Sequence, residues 1–174
     1  MLGLRTGDIR ERLLQNELDI GITFLPVRDK EIVSIPLYKS ELTLVVPTSH
    51  ILTERDHISI AELRDYPLVL LPKNFFLTEL ITSHCQNFDF TPKPILEIST
   101  MESLIQMVSK GMGITVLPKP YIDFLQNANI QAIKIKDPTP TIDIGLIYRK
   151  DKYMCAATRE FIEQLKITVH SSQN

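Results

Sequence analysis

The sequence has few of the residues that build covalent or metal-bound frameworks. Its 2 cysteines, Cys85 and Cys155, lie far apart and form no Cys-x-x-Cys motif. This pattern indicates neither a disulfide framework nor a zinc site, and it favours a reducing compartment. The 6 glycines and 11 prolines are scattered along 174 residues, which excludes a collagenous or low-complexity chain. The composition is that of an ordinary globular domain or of two small lobes.

Long apolar runs and an excess of one charge are also absent. No stretch approaches the roughly 18 consecutive apolar residues of a membrane span, and residues 1–14 carry Arg5, Asp8 and Arg10 where a secretory signal has its apolar core. The chain has 19 Lys and Arg against 21 Asp and Glu, a net charge of −2. Because phosphate contacts need a basic surface, any DNA contact must come from elsewhere. We expect a soluble, cytoplasmic domain with no membrane partner.

Several signatures of catalysis are missing. The sequence contains no G-x-S-x-G, P-loop, G-x-G-x-x-G or H-E-x-x-H motif. Its four histidines, His50, His57, His84 and His170, have no ligand spacing among themselves, and each is interpreted as a surface or packing residue. We therefore expect no catalytic residue, no metal and no cofactor.

Strand-like and helix-like segments alternate along the chain, which implies βαβ units and parallel sheets and so predicts an α/β fold. Asp8 with Glu11, and Ser59 with the residues after it, have the pattern of helix N-termini. Gly111 stands where a left-handed helix end is wanted. The predicted helices are 9–15, 59–63, 76–88, 101–110, 121–125 and 156–167, the last with Phe161, Ile162 and Leu165 inward. The predicted strands are 18–24, 33–37, 42–46, 68–71, 95–98, 114–117, 130–135 and 142–148.

One candidate site begins where the strand ending at Ile98 meets a helix, at Ser99, Thr100 and Met101. The free N–H groups of a helix start, with hydroxyls beside them, can bind an anion or a carboxylate. An alternative needs no ligand, because Ser99 with Glu102 forms the S-x-x-E pattern of a capping box.

A second candidate site is the loop Lys73, Asn74 and Phe75, which also leaves a strand and enters a helix. Lys73 would supply charge, Asn74 a directional hydrogen bond and Phe75 an apolar wall, although the same residues can be only a loop and an N-cap. In open parallel sheets, ligands bind outside the carboxyl ends of the strands. Thr23 and Phe24, which end another predicted strand, also lie where a ligand belongs.

The order of five segments resembles the effector-binding domain of LysR-type transcriptional regulators, over nearly the whole chain. These segments are GDIRERLLQNELDIGITFLP, IPLYKSELTLVVPTSHIL, ISIAELRDYPLVLLP, EISTMESLIQMVSKGMGITVLPK and IGLIYRKD followed by a helix. The most specific part runs from Ser99 to Pro118, where a hydroxyl-bearing strand end, a helix, a Gly-x-Gly turn and a strand ending in Leu-Pro follow in the family's order.

The resemblance implies a two-lobed fold like that of type 2 periplasmic binding proteins. It would have two mixed, mostly parallel sheets flanked by helices and joined by two crossover strands, near residues 40–42 and 146–148. Lobe I would comprise residues 1–41 and 147–174, and lobe II residues 42–146. Lobe I would be incomplete, because the family's effector domain opens with a further strand and helix.

The resemblance also implies a function. A small, anionic metabolite would bind between the lobes, touch Thr23, Phe24, residues 73–75 and 99–101, and reach Tyr148 near the hinge. Binding would change the lobe orientation and so DNA binding by an N-terminal winged helix-turn-helix. The intact protein would be a homodimer or tetramer through its effector domains. Two alternatives stay open: a solute-binding protein of a transport system, and an enzyme on the same fold with Cys85 or Cys155 as its candidate residue for covalent attachment.

Overall fold

The computed structural model describes residues 5–171, with side-chain burial through residue 169. The outer ends of the predicted lobe I, residues 1–4 and 172–174, lie outside the described residues, as does the side chain of His170. The helices are α1 (Thr6–Leu14), α2 (Phe76–Gln86), α3 (Met101–Ser109), α4 (Lys119–Leu125) and α5 (Ala156–Ser171). The strands are β1 (Gly21–Leu25), β2 (Ile32–Pro47), β3 (His57–Ser59), β4 (Val69–Leu70), β5 (Leu96–Glu97), β6 (Thr115–Pro118), β7 (Ile130–Lys136) and β8 (Thr141–Arg149).

The chain divides into two compact units. Unit 1 comprises residues 1–39 and 142–174, and unit 2 comprises residues 40–141. The chain leaves unit 1 inside β2, between Lys39 and Ser40, and returns to it at the start of β8. The lobe boundaries at residues 41–42 and 146–147 stay a prediction. None of the helices within residues 5–171 is long and apolar enough to cross a membrane.

Unit 1 is built on the antiparallel pair β1 and β8, in the register that puts Gly21 opposite Ile147 and Thr23 opposite Gly145. A Cβ atom on Gly21 would lie 2.3 Å from Cγ2 of Ile9, so this glycine lets α1 pack directly against β1. Two apolar clusters form. One contains Leu13, Leu25, Ile32 and Ile147, and the other contains Leu37, Leu146 and Ile162.

Unit 2 has the second half of β2 at its centre. β6 and β7 both pair antiparallel with β2, and β3 pairs parallel with β7. β4 and β5 are parallel, and an isolated parallel bridge joins Leu68 to Ile114. The α/β class is confirmed, with mixed sheets. The sheets contain more antiparallel pairs than the prediction of mostly parallel sheets implies. In unit 2 the reason is that both neighbours of the long strand β2 are antiparallel to it.

Some predicted helix boundaries are wrong. The first helix begins at Thr6 rather than Ile9, and its N-cap is Arg5, not Asp8. Asp8 lies inside the first turn and accepts hydrogen bonds from the Arg5 guanidinium, with both donor–acceptor distances 3.0 Å. A carboxylate there still favours the helix, because it faces the positive end of the helix dipole. Ser59 is confirmed as a cap, since the Glu62 carboxylate accepts its backbone N–H at 2.9 Å.

Two further differences concern β2 and α5. The predicted strands 33–37 and 42–46 form one strand, because the polar residues between them continue the extended backbone. The short strand β3, directly before the 3-10 turn that Ser59 caps, is not among the predicted strands. Ile162 is buried as predicted, but Phe161 is 51% exposed and does not face the core. Phe161 lies at the border of the apolar side of α5, where helical spacing alone does not decide burial.

The turn between α3 and β6 depends on two glycines. Gly111 has φ +74°, the left-handed conformation that the sequence predicts, and Gly113 has φ +153°. A Cβ atom on Gly113 would lie 2.6 Å from the Pro67 carbonyl oxygen and 2.9 Å from Cγ2 of Val69. The backbone of the turn therefore lies directly against the segment that leads into β4.

We expect Gly113→Ala to lower the free energy of unfolding by about 2 kcal/mol or more, because a methyl group there collides with backbone. The measurement is urea denaturation followed by circular dichroism. Gly7→Ala is the matched control. It lies in α1 with nothing within 4 Å of the new Cβ atom, so it should leave stability unchanged or raise it by up to about 1 kcal/mol. Equal losses in the two variants would contradict the role assigned to the close approach.

A pH dependence follows from His50, which caps the short 3-10 helix Ile51–Glu54. Its Nδ1 atom accepts the backbone N–H of Leu52 at 3.2 Å, and its ring lies 5.7 Å from that of Tyr66. Burial lowers the pKa of His50. Because protonation replaces the acceptor by a donor, the unfolded chain binds this proton more tightly than the folded chain does.

We expect the free energy of unfolding to be highest above a pH of about 6.5, the ordinary histidine pKa, and to fall as the pH drops below it. His50→Asn keeps an acceptor that does not titrate, so it should reduce this slope. Burial also lowers the pKa of His84, so part of the slope should persist. Urea denaturation between pH 5 and 8 measures both chains, and an unchanged slope in His50→Asn would count against the assignment.

Candidate functional site

The register of β4 and β5 places two of the predicted ligand loops at one edge of unit 2. Val69 lies opposite Leu96 and Leu70 opposite Glu97, with the strands parallel. Beyond the strands, the N–H of Ile98 donates to the Leu70 carbonyl at 3.0 Å. The loops that follow therefore leave the sheet at the same carboxyl edge, as ligand-binding loops of parallel sheets do. The structure brings Lys73, Asn74 and Phe75 to the same edge as Ser99, Thr100 and Met101.

A third connection begins at this edge. The bridge between Leu68 and Ile114 aligns β6 parallel to β4, and the N–H of Val69 donates to the Ile114 carbonyl at 2.9 Å. β6 ends at Pro118, and α4 begins at the next residue. We call the region beyond the carboxyl ends of β4, β5 and β6, where α2, α3 and α4 begin, the unit 2 edge.

At the start of α3, the hydroxyl that caps the helix is not the predicted one. Thr100 is the N-cap, and its Oγ1 atom accepts the N–H of Ser103 at 3.2 Å. The capping box of Ser99 with Glu102 is wrong, because the chain stays extended through Thr100 and the helix begins one residue later. Ser99 is exposed, and within the described part of the chain its side chain forms no hydrogen bond. Its hydroxyl is therefore available to a ligand.

At the start of α2, the N-cap is Phe75, which has no side-chain oxygen to offer the first turn. Its own N–H donates to the Pro72 carbonyl at 2.9 Å, which closes the loop. Lys73 and Asn74 are exposed, and neither side chain has an ion pair or hydrogen bond among residues 5–171. A positive charge and an amide thus lie beside a helix N-terminus, which is an arrangement that attracts anions.

Two polar side chains at this edge were not singled out from the sequence. The Thr78 hydroxyl donates to the Leu71 carbonyl at 2.9 Å, inside the core. The Tyr121 hydroxyl is buried and has no partner in the described chain. Burial, and then the negative charge of Glu102, raise the pKa of Tyr121. Neither residue belongs to a motif, so no sequence pattern points to either of them.

The predicted ligand residues of unit 1 do not share one surface. Thr23 is buried, and its Oγ1 atom forms a 2.7 Å hydrogen bond with Oγ1 of Thr6, the first residue of α1. Successive side chains of a strand alternate between faces, so Phe24 lies on the face opposite Thr23. Tyr148 packs against the cluster of Leu146 and Ile162, three register positions beyond the partner of Thr23. The structure therefore separates Thr23 from both aromatic residues.

No group of three or more His, Cys, Asp and Glu side chains is arranged to hold a metal ion within the part of the chain that the structure describes. The unit 2 edge offers hydroxyls, an amide, an ammonium group and backbone N–H groups instead. Such a set of groups can bind an organic anion by hydrogen bonds and charge.

Comparison with known proteins places this chain in a family. The family model described as "LysR substrate binding domain" matches residues 2–169. The protein described as "Uncharacterized HTH-type transcriptional regulator YwbI" of Bacillus subtilis (strain 168) is 31% identical over 158 residues, which cover 91% of this chain and 52% of that protein. The chain spans about half the length of the curated relatives it matches.

Solved structures show the same fold. The effector binding domain of QuiR in complex with shikimate has a TM-score of 0.87 and 25% identity, covering 97% of this chain and 79% of that one. The regulatory domain of CcmR from Synechocystis PCC6803, in complex with 2-PG, has a TM-score of 0.83 and 20% identity, covering 93% and 78%. These matches confirm the resemblance inferred from the five segments and the periplasmic-binding-protein-like fold. The chain belongs to the LysR substrate binding domain family.

Proposed function

We propose that this chain is the effector-sensing domain of a LysR-type transcriptional regulator and that the unit 2 edge contacts the effector. The observation that supports the proposal is the parallel register of β4 and β5, because the loops that follow these strands leave the sheet at the same edge. One loop carries Lys73, Asn74 and Phe75, and the other carries Ser99, Thr100 and Met101. Thr23, Phe24 and Tyr148 stay predicted contacts. Thr23 would have to share its hydroxyl between the effector and Thr6.

The effector we propose is a small anionic metabolite. Lys73 has no acidic partner within the described chain, and the N-cap of α2, Phe75, gives the first turn no side-chain cap hydrogen bond. Both features favour a carboxylate or a phosphate. The structure of QuiR in complex with shikimate supports this chemistry, because shikimate carries a carboxylate among hydroxyl groups.

The mechanism we propose is a shift between two conformations. An effector moves such an equilibrium only by its differential affinity for the two states. In a longer protein with an N-terminal winged helix-turn-helix, this shift would alter DNA binding, and the domains would assemble as a homodimer or tetramer. The relatives described as transcriptional regulators support this role and a cytoplasmic location. They also favour it over a solute-binding protein of a transport system.

We expect Lys73→Met to weaken the binding of shikimate, or of a carboxylate that binds more tightly, about tenfold or more, because it removes a charged hydrogen-bond donor. Isothermal titration calorimetry on the 174-residue chain measures the dissociation constant. Lys93→Met is the matched control. Lys93 is an exposed lysine at the opposite, amino-terminal end of β5, so its loss should leave affinity unchanged. Equal effects of the two substitutions, or binding of neutral or cationic compounds alone, would refute the proposal.

We also propose that the domain is not an enzyme. Cys85 lies in the core of unit 2, and burial raises the pKa of its thiol to about 11. Cys155 is exposed beside the start of α5 in unit 1. Hydrogen bonds from the Thr158 side chain and then its backbone lower the pKa of Cys155. Neither thiol lies on the loops at the unit 2 edge, which supports a binding role for that edge.

Thiol chemistry tests this assignment. We expect one thiol, Cys155, to react rapidly with Ellman's reagent in the native chain, and the second to react only after unfolding, because the thiolate is the nucleophile. The control is Cys155→Ser, which should show no rapid reaction. Rapid modification of Cys85 that a carboxylate effector suppresses would contradict the proposal, because it would place a reactive thiol at the ligand site.

A further inference from the structure

Thr78 connects the first turn of α2 to the end of the strand that precedes it. It is the third residue of α2 and is 5% exposed. Its hydroxyl donates to the Leu71 carbonyl at 2.9 Å. The carbonyl before it, on Leu70, accepts the N–H of Ile98. The Leu70 carbonyl is thus hydrogen-bonded to the segment that follows β5, and the Leu71 carbonyl is hydrogen-bonded to α2.

This hydrogen bond encloses the loop that carries Lys73 and Asn74. Residues 72–75 lie between Leu71 and α2, so the Thr78 bond fixes the two ends of the loop relative to each other. Inside it, the N–H of Phe75 donates to the Pro72 carbonyl at 2.9 Å. A short loop that is held at both ends has few alternative conformations, which lowers the entropy that a ligand must remove.

We propose that Thr78 is a positioning residue of the effector site. It does not touch the effector. Its buried hydroxyl holds residues 72–75 so that Lys73 and Asn74 lie beside Ser99 at the unit 2 edge. This inference rests on the proposed function for the meaning of the site, but the loop-holding role can be measured without any effector.

Thr43 provides a matched control in the same unit. It is 4% exposed, and its hydroxyl donates to the Ile133 carbonyl at 2.7 Å, between β2 and β7. Thr43→Val and Thr78→Val therefore remove the same kind of buried hydrogen bond and keep the side-chain shape. Only Thr78→Val does so at the loop. A purely structural role for Thr78 predicts that the two variants behave alike at residues 72–75.

The first experiment is amide hydrogen exchange by NMR on the 15N-labelled chain. We expect Thr78→Val to speed exchange of the Phe75 amide about fivefold or more, the change that the loss of one net hydrogen bond produces. Thr43→Val should leave the exchange rate of this amide unchanged. Thr78→Ser keeps the hydroxyl, so it should keep the slow exchange of the wild-type chain. If Thr78→Val does not speed this exchange, or if Thr43→Val speeds it equally, the inference is overturned. Should the valine variants fail to fold, Thr78→Ala and Thr43→Ala carry the same comparison.

The second experiment uses inorganic phosphate as the anion probe, in titrations followed by the amide shifts of residues 73–76 and 99–101. We expect Thr78→Val to raise the dissociation constant about threefold or more, because the loop must be ordered on binding, while Thr43→Val leaves it unchanged. Phosphate that moves none of these amides in the wild-type chain would count against the proposed anion site. The exchange measurement would still decide, independently, whether Thr78 holds the loop.

Discussion

The candidate site depends on backbone hydrogen bonds among three short parallel segments of unit 2. The N–H of Ile95 donates to the Leu68 carbonyl at 2.8 Å, and that of Ile114 donates to the Pro67 carbonyl at 2.9 Å. These bonds set the register of β4 with its two neighbours, so the loops that follow begin level with one another. A slip of one residue would reverse the face of each side chain. The grouping of the ligand loops is thus a property of the backbone.

Local rules predicted much of this fold from the sequence, and they failed where two local signals competed. Ser59 is the N-cap of the predicted turn, and its backbone N–H donates to the Glu62 carboxylate, as the capping pattern indicates. Asp8 shows the opposite case. Its carboxylate forms an ion pair with the N-cap residue Arg5, and the helix begins at Thr6, before Asp8 rather than after it. The continuity of β2 also escaped prediction, since only pairing with other strands decides whether polar residues stay extended.

The site was predictable in part. The strand ends that carry Lys73 and Ser99 follow from apolar runs and helix starts, which the sequence shows directly. The hydrogen bond of Thr78 to Leu71 depends on a contact across a loop, and the pairing of Thr23 with Thr6 joins residues 17 positions apart. Periodicity carries no information about such contacts. The division of Thr23 and Tyr148 between two environments likewise needs the register of β1 with β8.

The close approach at Gly113 also shows what the Gly-x-Gly motif of this sequence encodes. Gly113, the second glycine of the Gly-x-Gly turn, is required because the Pro67 carbonyl oxygen leaves no room for a Cβ atom. This family-like motif therefore reflects the packing of two chain segments against each other, and not the chemistry of the effector.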